Sequence, residues 1–373
     1  MRSHRPAWAE ISLGAFRRNL RNLRRLARPA EILPVIKADA YGHGMVPLSK
    51  VIQKEGLRTV AVALAQEGAT LRSSGWRGQI LLLEPTLPDF YSLIFQYRLT
   101  PQVSSLAEAE GLDRMAGRLG IQKFPIQVEV DSGMGRVGFR QEDLSRALPR
   151  LASLKNVRVS GFYTHLATAD WKESAYAKHQ IALFHHVREE ASVLLPQVPW
   201  HLANSAALLG EIPNAKGDWM RPGIVLYGIP PNAALARRVK LEPVMTLKAR
   251  VIMVKTLKPG ESVGYNRTFT VKRPTRVAVL AAGYADGILR SLSNKGKVLM
   301  HGQEVPMIGT VCMDMSMIDV TRVPGVKVGD TGVFFGREGK ASLLVDDQAA
   351  AAGTISYELL CALGPRVERV YVS

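Results

Sequence analysis

Cysteine is almost missing from this 373-residue chain, which carries only Cys312 and Cys361. Two such thiols exclude a disulfide framework and lack the paired spacing of a zinc site, so both are expected to be reduced and no metal centre is expected. Long hydrophobic runs are missing too. No window approaches the roughly 18 continuous apolar residues of a spanning helix, and the charged start MRSHRPAWAE is followed by no apolar stretch of the signal-peptide kind. A cytoplasmic protein with no membrane partner is the expectation. Acidic residues are scarce: 32 Asp and Glu against 49 Lys and Arg leave a formal net charge of +17. Nucleic-acid binding would concentrate that charge, whereas the basic residues spread along the chain, with only short clusters such as Arg24-Arg25 and Arg237-Arg238. No nucleic-acid partner is expected, and an anionic substrate or cofactor would use the charge equally well. Internal repeats and low-complexity tracts are also absent.

What the chain does contain is a globular composition, 47% hydrophobic and 22% charged, at a length beyond the usual limit of one core. Two domains are expected. Phe16, Leu20, Leu23 and Leu26 fall at helical spacing, after which short apolar runs alternate with helix-like segments. The runs are ILPVIK, TVAVAL near 59, QILLLE near 79, LTPQVS near 99, IQVEVD near 126, VSGFYTH near 159, WHLAN near 200 and MRPGIVLYG near 220. Helices are predicted over 105–119, 142–154 and 174–195, the last with Tyr176, Ile181, Phe184 and Val187 on one stripe. Eight strands alternating with helices predict an α/β fold that begins with a (β/α)8 TIM-type barrel. A proline-bearing basic stretch at about 229–243 then gives way to TLKARVIMVKTL, SVGYNRTF, TRVAVLAA, GKVLMH, MSMIDV, TGVFFG and RVERVYV, with one helix-compatible stretch at 346–363. The chain therefore reads as a barrel over 1–236 and a mainly β domain over 237–373.

A barrel of this type builds its active site at the carboxyl ends of its strands. Lys37 closes the first run; partial desolvation there would lower its pKa and make it a nucleophile able to form a Schiff base, although a lone strand-end lysine more often snorkels to water. Ser205 and Gly223 follow the seventh and eighth runs, where barrels hold phosphate on backbone N–H groups; equally, Ser205 suits a helix cap and Gly223 a tight turn. Arg136 sits in the glycine-bracketed loop DSGMGR, where its planar fork would match a small carboxylate or simply be solvated. His165 and His201 at strand ends are either orienting groups or satisfied structural histidines.

The segments VIKADAYGHG, DSGMGRVGF, THLATAD, HLANSAALL, RPGIVLYG, VGYNRTF, AAGYADG and GTVCMDM resemble the motifs of alanine racemases, and the resemblance runs from WAEISLGAFRRNL to TISYELLCALGPRV. It implies a pyridoxal 5'-phosphate enzyme that interconverts L-alanine and D-alanine, supplying D-alanine for peptidoglycan, as a homodimer whose active sites borrow residues from the partner chain. By motif, Lys37 would hold the cofactor as a Schiff base. Tyr41, Asn204, Ser205, the amides of Gly223 and Ile224, and Tyr357 would bind the cofactor with it, chiefly at its phosphate. Arg221 would face the pyridine nitrogen; a guanidinium can only donate, so that nitrogen stays unprotonated and the cofactor becomes a weaker electron sink, which favours racemisation over transamination. His201 would support Arg221. Racemisation is met most directly by one base on each face of Cα, and the resemblance assigns these roles to Lys37 and to Tyr265 of the other subunit, with His165 orienting the tyrosine. Arg136 and the backbone at Met313 would bind the substrate carboxylate, and Tyr284 would wall the mouth of the site. One departure stands out: Glu129 occupies a position where many members have a lysine that becomes carbamylated. A glutamate supplies its own carboxylate and is expected to position Arg136, the alternative being an ordinary inward polar residue. Competing readings are a broad-specificity racemase of this fold, a basic amino-acid decarboxylase, disfavoured by Arg221, and a non-catalytic pyridoxal-phosphate carrier, disfavoured by the second domain.

Overall fold

Parallel strands buried on both faces read as unbroken apolar runs, and the computed structural model, which describes residues 6–171 and 175–373, places the predicted runs in such a sheet. The chain separates into two units. One comprises Arg17–Ala40 and Met45–Leu241; the other comprises the described part of residues 1–16 with Tyr41–Gly44 and Glu242–Ser373.

In the first unit, Thr59–Val62, Gln79–Pro85, Thr100–Val103, Phe124–Glu129, Val157–Tyr163 and Trp200–His201 pair in parallel, each with the next. Two short strands, Glu31–Ile32 and Trp219–Met220, complete the ring. They pair with each other in parallel. A bridge from Val35 to Ala61 joins the first to its neighbour, and the Arg221 N–H donates to the Ala203 carbonyl at 2.8 Å on the other side. The eight expected strands thus close a barrel. Between them, Gln141–Ser153 buries Leu144, Ala147, Leu148 and Leu151, the stripe of a helix that covers a sheet. Helix Ala175–Leu194 buries Ala177, Ile181, Phe184, Val187 and Ala191; its expected first residue, Ser174, lies outside the described residues. Tyr176, expected on this stripe, is instead exposed and donates its hydroxyl to the Gly133 carbonyl at 2.6 Å.

The second unit is mainly β, as expected. Its spine is Met245–Leu257, which pairs antiparallel with Ala7–Ser12, Thr275–Leu280 and Thr331–Glu338. Ala7–Ser12 also pairs in parallel with the last strand, Glu368–Val372. The helix-compatible stretch at 346–363 forms two helices, Val345–Ala352 and Ser356–Cys361, because Gly353 adopts φ 76° and ends the first. No helix among the described residues is long and apolar enough to cross a membrane.

Candidate active site

Lys37 leaves the barrel wall at a fixed point: Ile36 before it is fully buried and donates its N–H to the Ala61 carbonyl at 2.9 Å. The next four residues, Ala38, Asp39, Ala40 and Tyr41, hold φ angles of 52°, 50°, 57° and 53°. Such a left-handed turn costs about 1–2 kcal/mol per residue through crowding of Cβ against the following carbonyl. Hydrogen bonds offset that cost. One Glu67 carboxylate oxygen accepts from the Ala38 N–H at 2.6 Å, and the other accepts from Ala63 and Leu64 at 2.8 and 3.1 Å. Asp39 Oδ1 accepts from the Met45 N–H at 2.7 Å. Gly42, at φ 78°, ends the turn where a Cβ would collide with the Leu360 carbonyl. Tyr41 is buried with its ring centroid 6.0 Å from that of Tyr357. Burial, then the neighbouring Tyr357 and Cys361, push its hydroxyl pKa above the ordinary value.

Alternate residues of a strand share a face, so Gln127 and Glu129 lie on the same side of Phe124–Glu129. Both are buried. Glu129 accepts the Tyr163 hydroxyl at 2.8 Å. Burial drives its pKa up to about 7, against the opposing pull of the Tyr163 hydrogen bond and of the Arg221 and Arg136 charges. Arg136 itself is exposed in its loop and acts on Glu129 through its field.

Arg221 is buried and held from every terminal hydrogen. Nη1 donates to His201 Nδ1 at 2.8 Å and to the His201 carbonyl at 2.9 Å; Nη2 donates to the carbonyls of Thr164 and Leu202 at 2.6 and 3.2 Å. A guanidinium has five N–H groups, so these four bonds leave Nε–H as the donor for a ligand. Burial lowers the Arg221 pKa to about 10, leaving it cationic at neutral pH. His201 is fully buried, and burial followed by the Arg221 charge holds its pKa well below the ordinary value. His165 is lowered to about 3 by burial and then by the charges of Arg221, Arg136 and Lys37, so both imidazoles are neutral. Gln180 fixes the His165 backbone, donating Nε2–H to its carbonyl at 3.1 Å. Sequence reasoning singled out neither Gln127 nor Tyr163; the signal for the first was a polar residue alternating with Glu129 inside an apolar strand.

After the seventh strand the helix cap is Asn204, not Ser205. Asn204 Oδ1 accepts from the Ala206 and Ala207 N–H groups at 3.1 Å each, and its Nδ2–H donates to the Leu166 carbonyl at 3.2 Å. This frees the buried Ser205 hydroxyl, which accepts from the Gly223 N–H at 2.9 Å and so brings the two loops together. Ile224 opens a short turn, Ile224–Tyr227, behind Gly223.

In the second unit, Tyr265, Tyr284 and Met313 stand on adjoining loops. The Thr310 hydroxyl donates to the Tyr265 carbonyl at 3.0 Å, and the Tyr284 and Ala285 N–H groups donate to the Cys312 and Met313 carbonyls at 3.0 Å each. Gly283 permits the second approach, since its Cβ would fall on those same carbonyls. All three side chains are exposed, Tyr265 to 68%. Tyr357 lies in the first turn of Ser356–Cys361, beside Tyr41 and half open to solvent.

A family model described as alanine racemase, N-terminal domain, matches residues 11–231, and one described as alanine racemase, C-terminal domain, matches residues 244–371. An alanine racemase of Halothermothrix orenii is 38% identical, covering 98% of this chain and 97% of its own. One from Desulfovibrio desulfuricans is 40% identical, covering 99% and 98%. Among solved structures, an alanine racemase from Bartonella henselae with covalently bound pyridoxal phosphate is 28% identical with a TM-score of 0.90, over 99% of this chain and 100% of its own.

Proposed function

This chain belongs to the alanine racemase family, and we propose on that footing how its residues interconvert L-alanine and D-alanine with pyridoxal phosphate. When bound, the cofactor supplies an electron-withdrawing ring that acidifies the substrate Cα–H. Lys37 holds it covalently at the end of the first barrel strand. Ser205, the Ile224 amide, Tyr41 and Tyr357 would hold its phosphate, with the Gly223 N–H turning to it from the Ser205 hydroxyl and Asn204 keeping the seventh-strand loop in place. Once the substrate amine had displaced Lys37 from the cofactor, the freed Lys37 amine would exchange a proton on one face of Cα, and Tyr265 of the partner subunit would exchange one on the other. His165, being neutral, accepts the Tyr265 hydroxyl and aims it. Arg136 and the Met313 backbone take the substrate carboxylate, and Tyr284 narrows the mouth of the site toward small side chains.

The observation that carries this reading is Arg221. With both terminal nitrogens committed, its one remaining donor is Nε–H, on a cation that cannot give up its proton at neutral pH. That group would hold the cofactor's pyridine nitrogen by a single donated hydrogen bond and leave it unprotonated, which would suit proton exchange over transamination. The exposed tyrosines and Met313 of the second unit support a homodimer that covers them. Cys312 and Cys361 stand outside any disulfide, which is compatible with the cytoplasm, where D-alanine for peptidoglycan would be made. Borohydride reduction of the holoenzyme followed by peptide mapping tests the assignment: the label belongs on Lys37, and a label on any other lysine, or none, contradicts it.

A further inference from the structure

We infer that Gln127 is a positioning residue, which acts through His201 to fix Arg221; this rests on the role proposed above for Arg221. Arg221 Nη1 lies 2.8 Å from His201 Nδ1, and because a guanidinium offers only donors, Nδ1 must be the bare, accepting nitrogen. The ring's proton therefore sits on Nε2, deep in the barrel, and needs an acceptor. Gln127 Oε1 provides it at 3.1 Å. The Gln127 amide is oriented in turn: Nε2–H donates to Ser160 Oγ at 3.2 Å, and the Ser160 hydroxyl donates to the Ile126 carbonyl at 2.9 Å. Each proton in the sequence Ile126, Ser160, Gln127, His201, Arg221 then has one direction.

The backbone is shaped around this amide. Pairing between the fifth and sixth barrel strands passes from Ile126 with Val159 to Gln127 with Gly161, so Ser160 is an extra residue, a bulge of the kind that re-aims a side chain. Gly161 leaves the space that Gln127 fills, since a Cβ there would strike the side-chain amide. The imidazole is flanked by the Tyr163 ring, stacked at 5.0 Å, and by the Trp219 ring at 5.5 Å. Among the described residues, Arg221 supplies the charge that acts on His201. A carboxylate in place of the amide would stabilise the imidazolium, both nitrogens would become donors, and Arg221 would lose one of its four acceptors. The neutral amide is therefore the chemically matched residue at this position.

The test is nitrogen NMR of histidine-labelled protein, recorded with and without pyridoxal phosphate, alongside cofactor absorbance and steady-state kinetics. In the wild type His201 should show one neutral tautomer protonated at Nε2, unchanged from about pH 6 to 9. Gln127→Leu should strip the Nε2 proton of its acceptor and shift the His201 nitrogen signals, and Gln127→Glu should give the imidazolium near neutral pH. In both variants kcat should fall about 10- to 100-fold with KM changed less, as for outer partners of other bound groups, and the cofactor band should change its pH dependence. If a variant does not fold, Ser160→Ala, which removes only the hydroxyl that orients the amide, should shift the same His201 signals. Overturning results are a wild-type His201 protonated at Nδ1, or His201 signals and a cofactor band that the substitutions leave unchanged. The cofactor-free spectra judge the tautomer relay alone, so a protein that bound no cofactor would defeat the functional reading without deciding this one.

Discussion

Glu129 and His165 are driven in opposite directions by the same loss of water. Burial raises Glu129 to about 7 from an ordinary 4.5, so the folded chain binds that proton more tightly than the unfolded chain, and the stabilisation present below pH 4.5 is lost as pH rises through 7. The span amounts to about 3 kcal/mol. For His165, lowered to about 3 from 6.5, stability is present above pH 6.5 and is lost as pH falls toward 3. In the wild type the two slopes oppose each other between pH 4.5 and 6.5. In Glu129→Gln only the histidine slope survives there, so denaturant unfolding across this window should show the variant gaining stability with pH relative to the wild type. Equal slopes in both proteins would show that Glu129 is an ordinary carboxylate. At this scale the reactive types at strand ends were legible, because barrel topology says where to look. Gln127 and Tyr163 were not, since their roles depend on neighbours 74 and 34 residues away.

The left-handed turn after Lys37 is the element on which the site depends, and Glu67 is its brace. Glu67→Ala removes the acceptor for three backbone N–H groups and should cost about 2–4 kcal/mol, since hydrogen bonds to a charged group contribute about 1.5–3 each and do not add fully. Pyridoxal-phosphate affinity, read by absorbance titration, should weaken with it, whereas loss of stability with unchanged affinity would make the brace purely structural. The turn was hidden in the sequence: KADAYGHG offers glycine only at its end, and nothing local announces four left-handed non-glycine residues. The eight barrel runs were visible because two-sided burial makes them largely apolar, although Gln102, Gln127 and Glu129 interrupt two of them. Ala7–Ser12 was missed because its partners begin at Met245 and Glu368, far along the chain.

At the scale of the whole molecule, the reading requires two copies. Lys37 and Tyr265 lie in different units of the chain, and the proposal pairs each lysine with the partner's tyrosine. Co-expressing Lys37→Ala with Tyr265→Phe tests this. Each variant alone should be nearly inactive, whereas random pairing makes half the dimers mixed, each with one intact site, and restores about a quarter of wild-type activity. No restoration would place both groups in one subunit. The change of periodicity near the proline-bearing stretch at 229–243 was legible, but a unit that also takes in residues near the start of the chain, through a first strand that joins the last, could not be read from local pattern. The central claim is racemisation itself, and circular dichroism of L-alanine incubated with the holoenzyme measures it directly. The signal should decay to zero, and a D-alanine solution should decay to the same end point; a signal that persists from either enantiomer would contradict the account.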